Sequence, residues 1–134
     1  MSHKKAVIAV TSTLLVAFAF IHPASAATTA AEFDETVLKP EGPPSAPHSE
    51  CETTPKIKVC FEAGGDKIWL KDLNGGDIYP AKTNWSIRGG RYGQCAGTHT
   101  AGKWGVCNKN FPENKTIDFV MHHSSNDYTF TATT

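Results

Sequence analysis

From Lys56 onward, apolar residues recur at every second position in short runs. Ile57, Val59 and Phe61 share one face, as do Ile68 and Leu70, Trp85 and Ile87, Trp104 and Val106, then Ile117, Phe119 and Met121, and finally Tyr128 and Phe130. Alternation of this kind marks half-buried strands, because successive side chains of a strand point to opposite faces. No window repeats apolar residues at helical spacing. Gly64-Gly65, Gly75-Gly76 and Gly89-Gly90 punctuate the runs at intervals of 11 to 14 residues, supplying the positive φ of tight turns between consecutive strands. The pattern predicts an all-β fold, a small antiparallel β-sandwich or open barrel of six to seven strands connected as a meander.

The first 55 residues read differently. Lys4 and Lys5 precede an apolar stretch, Ala6 to Ile21, followed by Ala24-Ser25-Ala26, the layout of a signal peptide cleaved after Ala26. The stretch is shorter than the roughly 20 residues a membrane-spanning helix needs. Cleavage would leave 108 residues carrying 13 acids and 11 bases, a near-neutral chain with no bias toward nucleic acid or a charged membrane. The charge is uneven, since Glu32, Asp34, Glu35, Glu41, Glu50 and Glu52 face only Lys39 between residues 27 and 55. That stretch also holds Pro40, Pro43, Pro44 and Pro47, and little in it compensates for the entropy of ordering. Residues 27–55 are expected to form an acidic, proline-rich arm or linker, either a spacer or a segment that docks on a basic partner or on the domain itself. Residues 56–134 are the expected β domain.

Four cysteines, Cys51, Cys60, Cys95 and Cys107, allow three pairings. A small exported domain gains stability from disulfides, and spacing favours Cys95–Cys107 across neighbouring strands with Cys51–Cys60 pinning the arm. Zinc is disfavoured because no C-x-x-C knuckle is present. "KDLNGGDIYP" gathers Asp72, Asn74 and Asp77 as a calcium loop does. Counted from Asp72, however, Gly76, Asp77 and Thr83 occupy the fifth, sixth and twelfth positions, where an EF-hand wants a ligand, glycine and glutamate. The stretch reads instead as a hairpin turn with its aspartates exposed, and no metal or cofactor is expected. A weak calcium-binding module of another kind is one alternative.

Candidate catalytic groups are sparse. "MHHSSND" brings His122, His123, Ser124, Ser125 and Asp127 together on one polar loop, whereas triad members arrive from separate elements. A ribonuclease would need a base, an acid and a phosphate-binding arginine, for which Glu62, His99 and Arg88 or Arg91 are the available groups. Nothing in their spacing forces convergence.

Exposed aromatics point to binding. Trp69 alternates with Ile68 and Leu70 and so faces outward if they face the core; Tyr79 and Tyr92 are its expected companions. Asn84 and Asn114 head glycosylation sequons. The runs "VCF", "GDKIWLKD", "GQC" and "KWGVCNKNFPEN", with Trp85 between them, resemble small secreted actinobacterial proteins of unknown function over residues 59–119. The resemblance implies a bacterial, exported single β domain and carries no activity or ligand. The expected role is a monomeric, secreted, non-enzymatic binding protein whose partner is an extracellular protein or a cell-wall polysaccharide, with a small hydrolase as the alternative. Trp69, Tyr79 and Tyr92 lining one groove would favour sugar, whereas His99, His122, Glu62 and Arg91 meeting in one cleft would favour catalysis.

Overall fold

The computed structural model describes residues 30–45, 48–74, 80–97, 102–123 and 126–134. The expected signal peptide lies outside them, as do Tyr79, Asp77 and His99. Ten strands are present among the described residues: β1 Glu32–Glu35, β2 Val37–Lys39, β3 Glu50–Thr53, β4 Ile57–Glu62, β5 Lys67–Asp72, β6 Ala81–Ile87, β7 Tyr92–Gly97, β8 Trp104–Asn108, β9 Thr116–His123 and β10 Asn126–Thr133. They form two five-stranded sheets, sheet I in the order β1-β7-β6-β9-β10 and sheet II in the order β2-β8-β5-β4-β3. The all-β expectation holds, and the strand count exceeds the expected six to seven.

The six period-two runs correspond to β4, β5, β6, β8, β9 and β10. Ile57, Val59 and Phe61 of β4 and Ile68 and Leu70 of β5 meet Trp85 and Ile87 of β6 and Ile117, Phe119 and Met121 of β9 in one buried cluster between the sheets. Phe119 stacks on Phe130 at 4.7 Å, and Phe61 tilts against Phe119 at 5.7 Å. Burial of each such side chain contributes about 1.5–3 kcal/mol. Trp104 and Val106 of β8 lie instead on the outer face of sheet II beside Trp69 and Cys60. On β8 the inward position is taken by Cys107, whose disulfide to Cys95 of β7 joins the two sheets with Cα atoms 6.1 Å apart. Cys51–Cys60 staples the in-register pair β3–β4 at 4.0 Å. The expected pairing is correct, but Cys95 and Cys107 belong to opposite sheets rather than neighbouring strands.

The chain is not a meander. Hairpins join β3–β4, β4–β5, β6–β7 and β9–β10, whereas β5–β6, β7–β8 and β8–β9 connect one sheet to the other. The strands that flank "KDLNGGDIYP", β5 and β6, lie in different sheets and are not a hairpin pair. Asp72 is 8% exposed rather than solvated. Its Oδ1 accepts the Asn74 N–H at 2.8 Å, and its carbonyl accepts the Gly102 N–H at 2.7 Å. Gly75 to Tyr79 fall outside the described residues.

Within the expected arm, residues 27–55, three short strands are present, β1, β2 and β3. β1 pairs with β7, and it does so in parallel, the one departure from antiparallel pairing among the described strands. After Thr36 the chain changes sheets, and β2 pairs antiparallel with β8. Because β2 and β3 form opposite edges of sheet II, the described residues between them, 40–45 and 48–49, lie over its outer face as a strap, with Gly42 against the Trp104 indole. Charge fixes this segment more than apolar burial does. Glu32 accepts a fork from Arg91 at 2.6 and 2.9 Å, and Lys109 Nζ donates to Glu32 at 2.7 Å and to Asp34 at 2.6 Å. The acidic segment thus docks on bases of its own domain.

Candidate binding surfaces

The outer face of sheet I is built by the alternation that buries its inner face. With Gly93 and Cys95 turned inward, Tyr92 and Gln94 of β7 point out; Asn84 and Ser86 of β6 and Asp118 and His122 of β9 do the same. Register brings them side by side, pairing Ser86 with both Tyr92 and Asp118, and Asn84 with both Gln94 and Val120. At the edge, β1 sets Phe33 opposite Gln94. The close approach of β1 depends on Gly93, where a Cβ would overlap the Glu32 carbonyl and the Trp85 ring. Phe33 is 77% exposed and Tyr92 47% exposed, and they rim a groove of about 330 Å³ floored by Asn84, Ser86, Gln94 and Asp118.

The polar groups of this face are held by one another. Gln94 Nε2–H donates to Asn84 Oδ1 at 2.9 Å, Asn84 Nδ2 lies 3.1 Å from His122 Nε2, and His122 Nδ1 lies 2.7 Å from Asp127 Oδ1. A ladder of side chains therefore runs across β7, β6, β9 and β10. Arg88 forks onto Asp118 at 3.1 and 3.2 Å, which raises the guanidinium pKa above its ordinary value through that hydrogen bond and leaves the carboxylate charge balanced.

The edge that carries Phe33 is anchored beneath the groove. The Arg91 hydrogen bonds, helped by Lys109, overcome partial burial and hold the Glu32 carboxyl at about 2 instead of 4.5; the same contact raises Arg91. Lys109, with a side chain only 5% exposed, also lies 4.9 Å over the Trp85 ring.

Sheet II presents a second surface. Trp69 does turn away from the core as expected, but it is 5% exposed and is no open platform. Its indole N–H donates to Glu62 Oε2 at 2.8 Å, Glu62 pairs with Lys67 at 3.1 Å, and Trp104 meets Trp69 edge-on at 6.5 Å. Trp69 and Val106 floor a cleft of about 760 Å³ between Val37 and the Gly42–Pro44 part of the strap.

Trp69 and Tyr92 thus occupy opposite faces of the sandwich and cannot line one groove; Tyr79 lies outside the described residues. The candidate catalytic groups are also dispersed. Glu62 is on the outer face of sheet II, His122 is on that of sheet I, and Arg91 is at the β1 edge. Both ring nitrogens of His122 are occupied by Asn84 and Asp127. Among the described residues no three His, Cys, Asp or Glu side chains gather as a metal site, and no helix is long and apolar enough to cross a membrane.

No family model, curated protein or solved structure matches this chain. The geometry of its two outer faces therefore carries the functional argument. Phe33, Asn84, Gln94 and Asp118 were not among the expected binding residues. Asp118 lies between the apolar Ile117 and Phe119, a signal any solvated strand face gives, and Phe33 lies between two acids, where nothing marks it as a groove residue.

Proposed function

We propose that this chain is an exported, non-enzymatic domain that binds a neutral extracellular or cell-wall polysaccharide on the outer face of sheet I. The carrying observation is the groove in which two exposed rings, Phe33 and Tyr92, flank side-chain amides already oriented by their neighbours. Sugars combine apolar C–H faces with hydroxyls that both donate and accept, so a flat ring beside fixed amides matches them on both counts. Preorganisation also reduces the side-chain entropy lost on binding. The balanced Arg88–Asp118 pair favours an uncharged ligand over an anionic one. Two disulfides fit an oxidising, extracellular setting.

The test is affinity electrophoresis of the exported chain through gels containing laminarin, xylan or glucomannan. One of them should retard the protein, and Tyr92→Ala should weaken that retardation about tenfold, the equivalent of roughly 1.4 kcal/mol. Equal mobility of wild type and variant in every gel contradicts the proposal.

A further inference from the structure

The ladder beneath the groove has a direction. An amide nitrogen only donates, so His122 Nε2 must accept the Asn84 Nδ2–H at 3.1 Å. The imidazole proton is then on Nδ1, where it donates to Asp127 Oδ1 at 2.7 Å. Asn84 Oδ1 in turn accepts the Gln94 Nε2–H at 2.9 Å. Every donor points the same way, from β7 toward β10.

A second proton on His122 breaks this order. It would reside on Nε2 and face the Asn84 N–H, donor against donor. The pair is relieved when the Asn84 amide turns half a revolution and offers Oδ1 to the imidazolium. That turn sets Asn84 Nδ2 against Gln94 Nε2, again two donors, and Gln94 must turn as well. A single proton on the imidazole at the far side of the face thus reverses two amides in the groove floor. The charged groups of the strands flanking His122 on this face are Asp127 of β10, which holds the Nδ1 proton in both states, and Lys82 of β6. On β9 itself Asp118 is engaged by Arg88.

We infer that His122 is a positioning residue whose protonation sets which atoms of Asn84 and Gln94 the groove presents, making ligand binding on sheet I dependent on pH. The inference rests on the saccharide reading of that groove. A site built around hydrogen bonds discriminates against a ligand whose donors and acceptors no longer match, so one inverted amide should lower affinity about tenfold.

The experiment follows the side-chain amide resonances of Asn84 and Gln94 in the ¹⁵N-labelled exported chain from pH 8 to pH 5, without ligand, beside the ring C–H resonances of His122. Both amide pairs should titrate with the midpoint of the ring, while the amide of Asn108 on sheet II stays flat. In His122→Gln neither pair should titrate. Flat Asn84 and Gln94 amides through the His122 transition, or movement of Asn84 without Gln94, overturn the relay. The second reading is affinity for the retarding polysaccharide above and below that midpoint. It should fall about tenfold in the wild type and stay constant in His122→Gln, and an unchanged wild-type affinity overturns the coupling. Absence of binding at every pH defeats the saccharide reading alone, since the amide titration decides the relay without a ligand.

Discussion

Lys109 is the residue on which the docking of the amino-terminal strands turns, and Lys109→Met isolates its charge. Methionine keeps the unbranched stem over Trp85 and removes the ammonium that bridges Glu32 and Asp34. Stripping one partner from a fully buried ion pair costs about 3–5 kcal/mol. Here the two carboxylates are 31% and 34% exposed and regain water, and Glu32 retains its fork to Arg91, which reduces the loss to about 2 kcal/mol. Loss of the cation over the indole adds about 0.5 kcal/mol. A total near 2.5 kcal/mol corresponds to a melting temperature lower by about 10–15 °C for a domain of this size. Thermal and urea unfolding measure it, and limited proteolysis should cut residues 30–49 of the variant faster than those of the wild type. Adding Asp34→Asn to Lys109→Met should recover part of the loss, because the carboxylate that Lys109 alone had paired is then removed while Glu32 keeps Arg91. A change below about 0.5 kcal/mol, the range of an ordinary surface substitution, would refute the docking argument.

Two further outcomes follow from the same structure. The Glu32 carboxyl is held at about 2 against an ordinary 4.5, so its contribution is complete above about pH 5 and disappears as pH falls toward 2. After allowance for its exposure the loss should be about 1 kcal/mol in an acid titration of stability, and Glu32→Gln should flatten that part of the curve; a wild type insensitive to this window contradicts the pairing. Replacing Cys95 and Cys107 with alanine should cost about 3 kcal/mol by the chain-entropy estimate, beyond which lies the cavity left between the sheets. Unchanged calorimetric stability of that variant would contradict the cross-core bridge.

The core strands were legible because each presents large apolar residues to one face only. β7 was not, since its inward positions are Gly93, Cys95 and Gly97, of which the approach of β1 requires the first and the disulfide the second. β1, β2 and β3 were hidden for another reason. They are short edge strands whose apolar residues Phe33, Val37 and Leu38 remain exposed, and the order of β1 comes from ion pairs 59 to 77 residues apart in the chain. The acid excess in that segment was visible; its partners Arg91 and Lys109 were not, because local composition does not reveal which bases a fold will bring near. Alternation correctly turned Trp69 away from the core. It could not show that Trp104 and Glu62 pack against it, which depends on strands that the fold brings together. The groove on sheet I is not legible in the sequence for the same reason, since Asn84 and His122 meet across 38 residues.

Chemical-shift mapping of the ¹⁵N-labelled protein during titration with the retarding polysaccharide tests the functional reading most directly. The account predicts perturbations at Phe33, Asn84, Ser86, Tyr92, Gln94 and Asp118, with the Trp69 indole N–H, held by Glu62 on the opposite face, unmoved. Perturbations centred on Trp69, Val37 and Val106, or none at saturating polysaccharide, would contradict it.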